Sequence, residues 1–218
     1  MLRQALLGGC GVAHGFGVRG APDPPGLLRP RQVHGFRVVT AAECRSASPP
    51  EADAVISLEA GVPVGVVTAD CVPVLIASER GDAVAAVHAG WRGLAAGVVA
   101  QSVDALRRSG CAGRLVAAIG PHIGACCYEV DSPVLEALSD GLGAHGLAAA
   151  TRTTRPGHAL LDLGALTAGA LRSAGLAACD VAGLPDCCTR CDAQRFHSYR
   201  RDGARSGRLT HFIAAVQA

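Results

Sequence analysis

The sequence predicts a mixed α/β (α+β) fold, with hairpin-containing β-sheets flanked by helices in a layered sandwich. Three observations carry this. β-branched runs recur at residues 62–68, 72–77 and 83–88. Between the last two, Ser78-Glu-Arg-Gly81-Asp82 reads as a hairpin turn, with Gly81 supplying positive φ. A helical pattern follows at 94–108, where Leu94, Val98, Val103 and Leu106 recur at helical spacing. Hairpins beside helices argue against a purely parallel, doubly wound sheet. The length of 218 residues, half of them hydrophobic, suits one domain spanning 1–218 with a sizeable core.

From the N-terminus, residues 12–18 alternate weakly and read as a strand. Residues 20–30 read as a loop, because Pro22, Pro24, Pro25 and Pro30 forbid regular structure. Residues 31–39 are strand-like, 46–50 break the chain, and 52–57 form a short strand. In the helix at 94–108, Arg107 and Arg108 occupy the last turn and Gly110 ends it. Residues 114–119 read as a strand and 120–130 as a glycine-punctuated loop. Ser132 reads as a helix N-cap, with Pro133 at the first helical position and Glu136 in the first turn. Residues 141–156 carry little pattern and read as irregular. Residues 160–163 read as a strand and 164–173 as a helix ended by Gly175. Residues 181–184, 196–200 and 208–216 read as strands. No repeat, coiled coil or linker divides the chain.

Composition excludes several classes. Charged residues are 17% and net charge is +2, so neither a disordered chain nor a polyanion binder such as a nucleic-acid protein is expected. No apolar run approaches the ~18 residues of a membrane helix. Leu7-Gly8-Gly9-Cys10 imitates a lipoprotein cleavage site, but the apolar stretch before it is too short for a signal peptide. All 20 basic residues are Arg, so a single Arg carries little signal. The 10 cysteines are too sparse for a disulfide scaffold, and the vicinal pairs Cys126-Cys127 and Cys187-Cys188 do not readily bridge internally. A reducing, cytoplasmic setting is expected.

The hairpin also places chemistry. A turn around Arg80-Gly81 sets Cys71 opposite position 90 and His88 opposite position 73. Cys71 and His88 are then one or two rungs apart at the open end, at ~5–8 Å. A thiol and an imidazole at that range can share a metal or form a nucleophile–base pair. A buried thiol and a satisfied core histidine are the plain alternative. Arg92, at the start of the next helix, suits an anion such as phosphate. Cys188-Thr-Arg-Cys191 is a lone CxxC; a structural zinc needs four ligands, and neither a second CxxC nor well-spaced His197 and His211 supplies them. Arg195, Arg200, Arg201, Arg205 and Arg208, with Phe196 and Tyr199, read as an anion grip or a solvated edge.

Six runs follow one another in order: Gln32-Val-His-Gly35, Thr68-Ala-Asp-Cys-Val-Pro-Val74, His88-Ala-Gly-Trp-Arg-Gly93, Gly120-Pro-His-Ile-Gly124, Cys126-Cys-Tyr-Glu-Val130 and Phe196-His-Ser-Tyr-Arg-Arg-Asp202. Together they closely resemble the bacterial YfiH-like laccase-domain family, over residues 11–216. That family was long labelled multicopper polyphenol oxidase and later described as purine nucleoside phosphorylase with adenosine deaminase activity. Departures are small: His197 stands where the family usually has Phe, and Ala125 where it often has Pro. The resemblance implies that His34, Cys71 and His88 hold one zinc. It implies as substrates adenosine, inosine, guanosine or 5′-methylthioadenosine, with phosphate, and a cytoplasmic enzyme. A monomer is expected. Three protein ligands leave one tetrahedral position open, which suits a catalytic zinc. Candidate catalytic residues are Cys71, His88 and Asp70, the last as acid/base or as an orienter of the site. Arg92 and His122 are candidate substrate contacts.

Three other readings stay open. Cys71 and His88 could form a metal-free thiol hydrolase, since relatives are implicated in editing peptidoglycan precursors. A copper-dependent polyphenol oxidase would need many imidazoles, yet the chain has no His-x-His, so copper would bind adventitiously. A non-catalytic interaction or metal-storage protein would be favoured by a saturated four-ligand site.

Overall fold

The computed structural model describes residues 1–217; Ala218, the end of the expected 1–218 span, lies outside the described residues. The elements in order are α1 (Ala5–Gly8), β1 (Ala13–Gly15), β2 (Val38–Thr40), β3 (Ala54–Ser57), β4 (Pro63–Thr68), β5 (Val72–Ser78), β6 (Val84–Ala89), α2 (Trp91–Ala95) and α3 (Val98–Arg108). There follow β7 (Leu115–Ile119), β8 (Glu129–Asp131), α4 (Ser132–Leu142), α5 (Ala144–Ala149), β9 (Thr151–Arg155), β10 (His158–Leu161), α6 (Leu163–Ser173), β11 (Val181–Gly183), α7 (Tyr199–Asp202) and β12 (Leu209–Ala214).

Six strands form a central mixed sheet in the order β11-β7-β5-β6-β3-β2. Its outer pairs, β7–β11 and β2–β3, are parallel; the inner ones are antiparallel. Every residue of β5 and β6 is buried. Covering on both faces is why they read as continuous apolar runs rather than alternating ones. On one face Val72, Val74, Ile76, Ala85 and Val87 pack against Val103 and Leu106 of α3 and Leu166 and Leu171 of α6. On the other, Leu75, Ala77, Val84 and Ala86 pack against Val64, Val66 and Ile213 of a second sheet, β1-β12-β4. Each fully buried Val or Leu contributes roughly 1.5–3 kcal/mol. A small third sheet, β8-β10-β9, joins the helical side. The layered α/β sandwich with mixed sheets and a central hairpin is the fold class expected. Among the described residues, no helix is long and apolar enough to cross a membrane.

Several expected elements differ in detail. The helix at 94–108 is two helices, because Gly97 adopts φ 87 and breaks the ladder between α2 and α3. Of the strand expected at 31–39 only β2 remains; the rest is a loop folded onto a carboxylate. Residues 141–156 are not irregular: they hold α5 and β9. Strand β9 is almost entirely exposed, so it has no buried face to imprint an alternation. Residues 196–200 form no strand; Ser198 caps the short helix α7 by accepting from the Arg201 N–H at 3.2 Å. The N-cap of α4 is Asp131, not Ser132, and its first turn holds no acidic residue.

Candidate functional site

The β5–β6 hairpin pairs Pro73 with His88 and Val72 with Ala89, the register required by a turn at Arg80-Gly81. Gly81 has φ 74, as that turn needs. Cys71 lies one residue beyond the last pair, at the open end. The third residue arrives from the loop before β2. Gln32 fixes that loop to β4: its side-chain amide donates to the Val67 carbonyl at 2.8 Å, and its oxygen accepts from the Val67 N–H at 2.7 Å. His34 then takes φ 61, a left-handed conformation costing a non-glycine residue about 1–3 kcal/mol.

Asp53 holds that strained turn. Its fully buried carboxylate accepts backbone N–H groups from Val33 (3.2 Å), His34 (2.9 Å) and Gly35 (2.6 Å). The same carboxylate accepts from His88 Nδ1 at 2.7 Å. A carboxylate only accepts, so Nδ1 keeps its hydrogen and Nε2 is the nitrogen that gives up its proton to offer a lone pair. A ligating histidine has its tautomer fixed by such a carboxylate. The donor atoms of His34, Cys71 and His88 all lie within 4.8 Å of one another. The two imidazoles meet edge to face, with ring centroids 4.8 Å apart.

Two glycines let this happen. A Cβ at Gly90 would stand 3.1 Å from Cys71 Sγ and 3.3 Å from His34 Cδ2. One at Gly93 would stand 2.6 Å from the Gly35 carbonyl oxygen. Both glycines of His88-Ala-Gly-Trp-Arg-Gly93 therefore keep the His34 loop and the hairpin end in contact. Electrostatics follow from the geometry. Burial pushes the Cys71 thiol up, but hydrogen bonds from His34 and His88 outweigh it and bring the thiol down to about 6. Burial pushes His88 down, yet Asp53 and Cys71 hold it up to about 9. The soft thiolate and two imidazoles are a donor set for a borderline-soft transition metal.

The three residues face a cavity of about 990 Å³. Its wall includes the cations Arg92, Arg200 and Arg208 and the aromatic side chains Trp91, Tyr128 and Tyr199. Arg92 is the second residue of the five-residue helix α2, and its guanidinium stacks on Trp91 at 4.3 Å. So short a helix has little dipole, and the guanidinium itself supplies the positive charge there. Asp70 also reaches the cavity wall, with φ 92. Its oxygens accept from the Thr189 hydroxyl and the Arg200 N–H, each at 2.6 Å. Both oxygens are thus engaged in tying the 189 and 200 segments to the site. His122 is not among the cavity-lining residues: its Nδ1 meets the Gly120 carbonyl at 2.8 Å and its ring packs against Gly164 of α6.

Sequence reasoning missed Asp53, Tyr128 and the cavity position of Arg200. A buried Asp opening an apolar strand, Ala52-Asp-Ala-Val-Ile56, was the available signal for Asp53. His197 and His211 do not join the CxxC. His211 lies between the Gly17 N–H and the Thr68 hydroxyl, and His197 packs on Gly207. The CxxC meets Cys126 and Cys127 instead.

Known proteins resemble this chain over most of its length. A purine nucleoside phosphorylase of Xylella fastidiosa (strain Temecula1) is 43% identical over 195 residues, covering 87% of this chain and 72% of that protein. An adenosine deaminase of an unknown prokaryotic organism is 34% identical over 196 residues, covering 85% and 74%. The crystal structure of the Bacillus licheniformis hypothetical protein YfiH superposes with a TM-score of 0.82 at 26% identity, covering 94% of this chain and 93% of that one. Residues 18–216 match the family described as multi-copper polyphenol oxidoreductase laccase, and the chain belongs to that family.

Proposed function

We propose that this chain is a zinc-dependent purine nucleoside phosphorylase with adenosine deaminase activity, working on free nucleosides in a reducing cytoplasm. The observation that carries the reading is the meeting of His34, Cys71 and His88 in a cavity that also holds arginines and aromatic rings. The names of the relatives, purine nucleoside phosphorylase and adenosine deaminase, support it. The cavity's volume suits a nucleoside together with an anion.

The donor set fits zinc: one thiolate, two imidazoles, one of them oriented by a buried carboxylate, and one position left for a substrate or water. When bound, zinc supplies a Lewis acid that polarises an oxygen or activates water. The chain's own residues do the rest. Arg92 and Arg200 hold phosphate, because guanidinium forks match phosphate oxygens in pairs. In phosphorolysis a phosphate oxygen bonds to C1′ of the ribose as the C1′–N9 bond breaks, and the purine leaves carrying the proton that the attacking hydrogen phosphate gives up. Holding both partners in one cavity makes that displacement effectively unimolecular. Burial raises the Tyr128 phenol to about 12, so it stays a neutral hydrogen-bond donor toward the nucleoside. Asp70 acts as a positioning residue, keeping Arg200 at the wall.

A metal-free thiol hydrolase is the second reading, favoured by the low Cys71 pKa beside His88. The test is incubation of zinc-loaded protein with adenosine, with and without phosphate, alongside Cys71→Ala. Phosphate-dependent adenine and ribose 1-phosphate, or phosphate-independent inosine and ammonia, support the zinc enzyme when both vanish on chelation and in the variant. No base and no ammonia from zinc-loaded protein overturns it, and activity that survives chelation favours the thiol hydrolase.

A further inference from the structure

Outside the His34–Cys71–His88 group, two segments of chain distant in sequence bring four cysteines together. Cys126 and Cys127 come from the loop before β8; Cys188 and Cys191 come from the loop before α7. All four sulfurs lie within 4.8 Å of one another. Cys191 Sγ is 3.6 Å from Cys126 Sγ and 3.3 Å from Cys127 Sγ. These gaps are far longer than the ~2.05 Å of a disulfide. A tetrahedral ion with Zn–S near 2.3 Å sets its sulfurs roughly 3.8 Å apart, which small side-chain rotations reach from here. A multinuclear iron–sulfur cluster needs its cysteine sulfurs farther apart than these four stand.

The surrounding backbone is built to hold thiolates. The Gly124 N–H donates to Cys188 Sγ at 3.2 Å. Gly124 is also the residue whose absent Cβ makes room: a Cβ there would stand 3.3 Å from Cys126 Sγ and 3.6 Å from Cys188 Sγ. The two loops dock through main chain, with the Thr189 N–H donating to the His122 carbonyl at 2.9 Å. The Arg190 guanidinium sits beside the Cys127 thiol, a counter-charge for a site that would carry net negative charge.

We propose that Cys126, Cys127, Cys188 and Cys191 form a second metal site, a mononuclear tetrathiolate that takes one zinc ion and fastens the cavity wall. Four thiols ligate as thiolates and release their protons; no redox step is involved. Thiolate donors select zinc over hard cations, and a full set of four closes the coordination shell, so the site is structural and not catalytic. Its position explains its use. One loop carries Ile123 and Tyr128 to the cavity. The other carries Thr189, whose hydroxyl holds Asp70, and its Thr189 and Arg190 carbonyls accept from Arg201 at 2.8 and 3.1 Å. Arg200 bridges the halves, its guanidinium 5.0 Å from the Tyr128 ring and donating to the Glu129 carbonyl at 2.8 Å. The site stands independently of whichever reaction the cavity performs.

The test is metal content and spectroscopy on full-length protein purified under reducing conditions. The Cys71→Ala protein, which lacks a ligand of the first site, should retain one tightly held zinc per chain. Replacing that zinc with cobalt(II) should give the intense visible bands and near-ultraviolet thiolate charge-transfer bands of a tetrahedral tetrathiolate. Adding Cys188→Ser and Cys191→Ser should remove both the ion and the bands. Should the serine variants fail to fold, the Cys71→Ala spectrum alone still decides. Metal-free Cys71→Ala protein, a stoichiometric metal other than zinc, a cobalt spectrum with mixed nitrogen and sulfur ligation, or a Cys127–Cys191 disulfide found by mass spectrometry would each overturn the proposal.

Discussion

Replacing Asp53 with Asn probes the centre of the site without touching a ligand. Oδ1 serves the His34 N–H and His88 Nδ1, while Oδ2 serves the Val33 and Gly35 N–H groups. An amide can keep only one oxygen. Were the NH2 to replace Oδ2, two backbone donors would face it. Were it to replace Oδ1, His88 would be forced to accept at Nδ1 and would carry its hydrogen on Nε2, where the metal should bind. The first arrangement is the milder. It leaves two N–H groups unpaired, at about 1–3 kcal/mol each when buried. The loop is partly exposed, so about 2 kcal/mol of lost stability is expected in all. Loss of the orienting charge adds a 10–100-fold weakening of metal affinity, about 1.4–2.7 kcal/mol. Thermal unfolding followed by circular dichroism reads the first quantity, and zinc competition against a chromophoric chelator reads the second. An Asn variant with wild-type zinc affinity and an unchanged melting curve would refute Asp53 as the support of both histidines.

Three further outcomes are expected. Gly90→Ala places a methyl 3.1 Å from Cys71 Sγ in an ordinary backbone conformation. It should weaken zinc binding roughly tenfold with little change in denaturant midpoint, and equal binding in titrations would contradict the close packing described. Arg92→Ala removes a charge-assisted contact worth about 1.5–3 kcal/mol. Initial-rate kinetics should show KM for phosphate rising about 10–100-fold with KM for inosine nearly unchanged; the opposite split would move phosphate elsewhere. His211 is held neutral by burial, its pKa pushed down to about 3, with the Gly17 N–H donating to Nδ1. The folded chain therefore binds fewer protons than the unfolded one between pH ~6.5 and ~3. This contribution to stability is complete above pH 6.5 and falls by about 1.4 kcal/mol per pH unit below it. Denaturant unfolding across pH should show a shallower acid decline for His211→Gln than for wild type, and parallel curves would contradict the assignment.

Local chemistry made much of this legible in the sequence. The β5–β6 register followed from one glycine turn, and with it the nearness of Cys71 and His88. His34 did not follow, because its loop is held by a carboxylate 19 residues away and by Gln32 against β4, neither of which has a periodic signature. Only the family resemblance brought it to the site. Strand β9 and helix α5 were invisible for a related reason. One is exposed and the other short, so burial left no pattern to read. The cysteine cluster shows the same limit at longer range. Cys126-Cys127 and the CxxC are 61 positions apart from second to first cysteine, and only the docking of two loops makes them neighbours.

On the proposed function, a metal held by His34, Cys71 and His88 supports nucleoside phosphorolysis. It is tested most directly by measuring ribose 1-phosphate released from inosine and phosphate, by protein stripped with a chelator and then titrated with zinc. Release should disappear on stripping and return with zinc in the wild type, while Cys71→Ala stays inactive at every zinc concentration. Undiminished release from stripped protein, or restoration of Cys71→Ala by zinc, would contradict it.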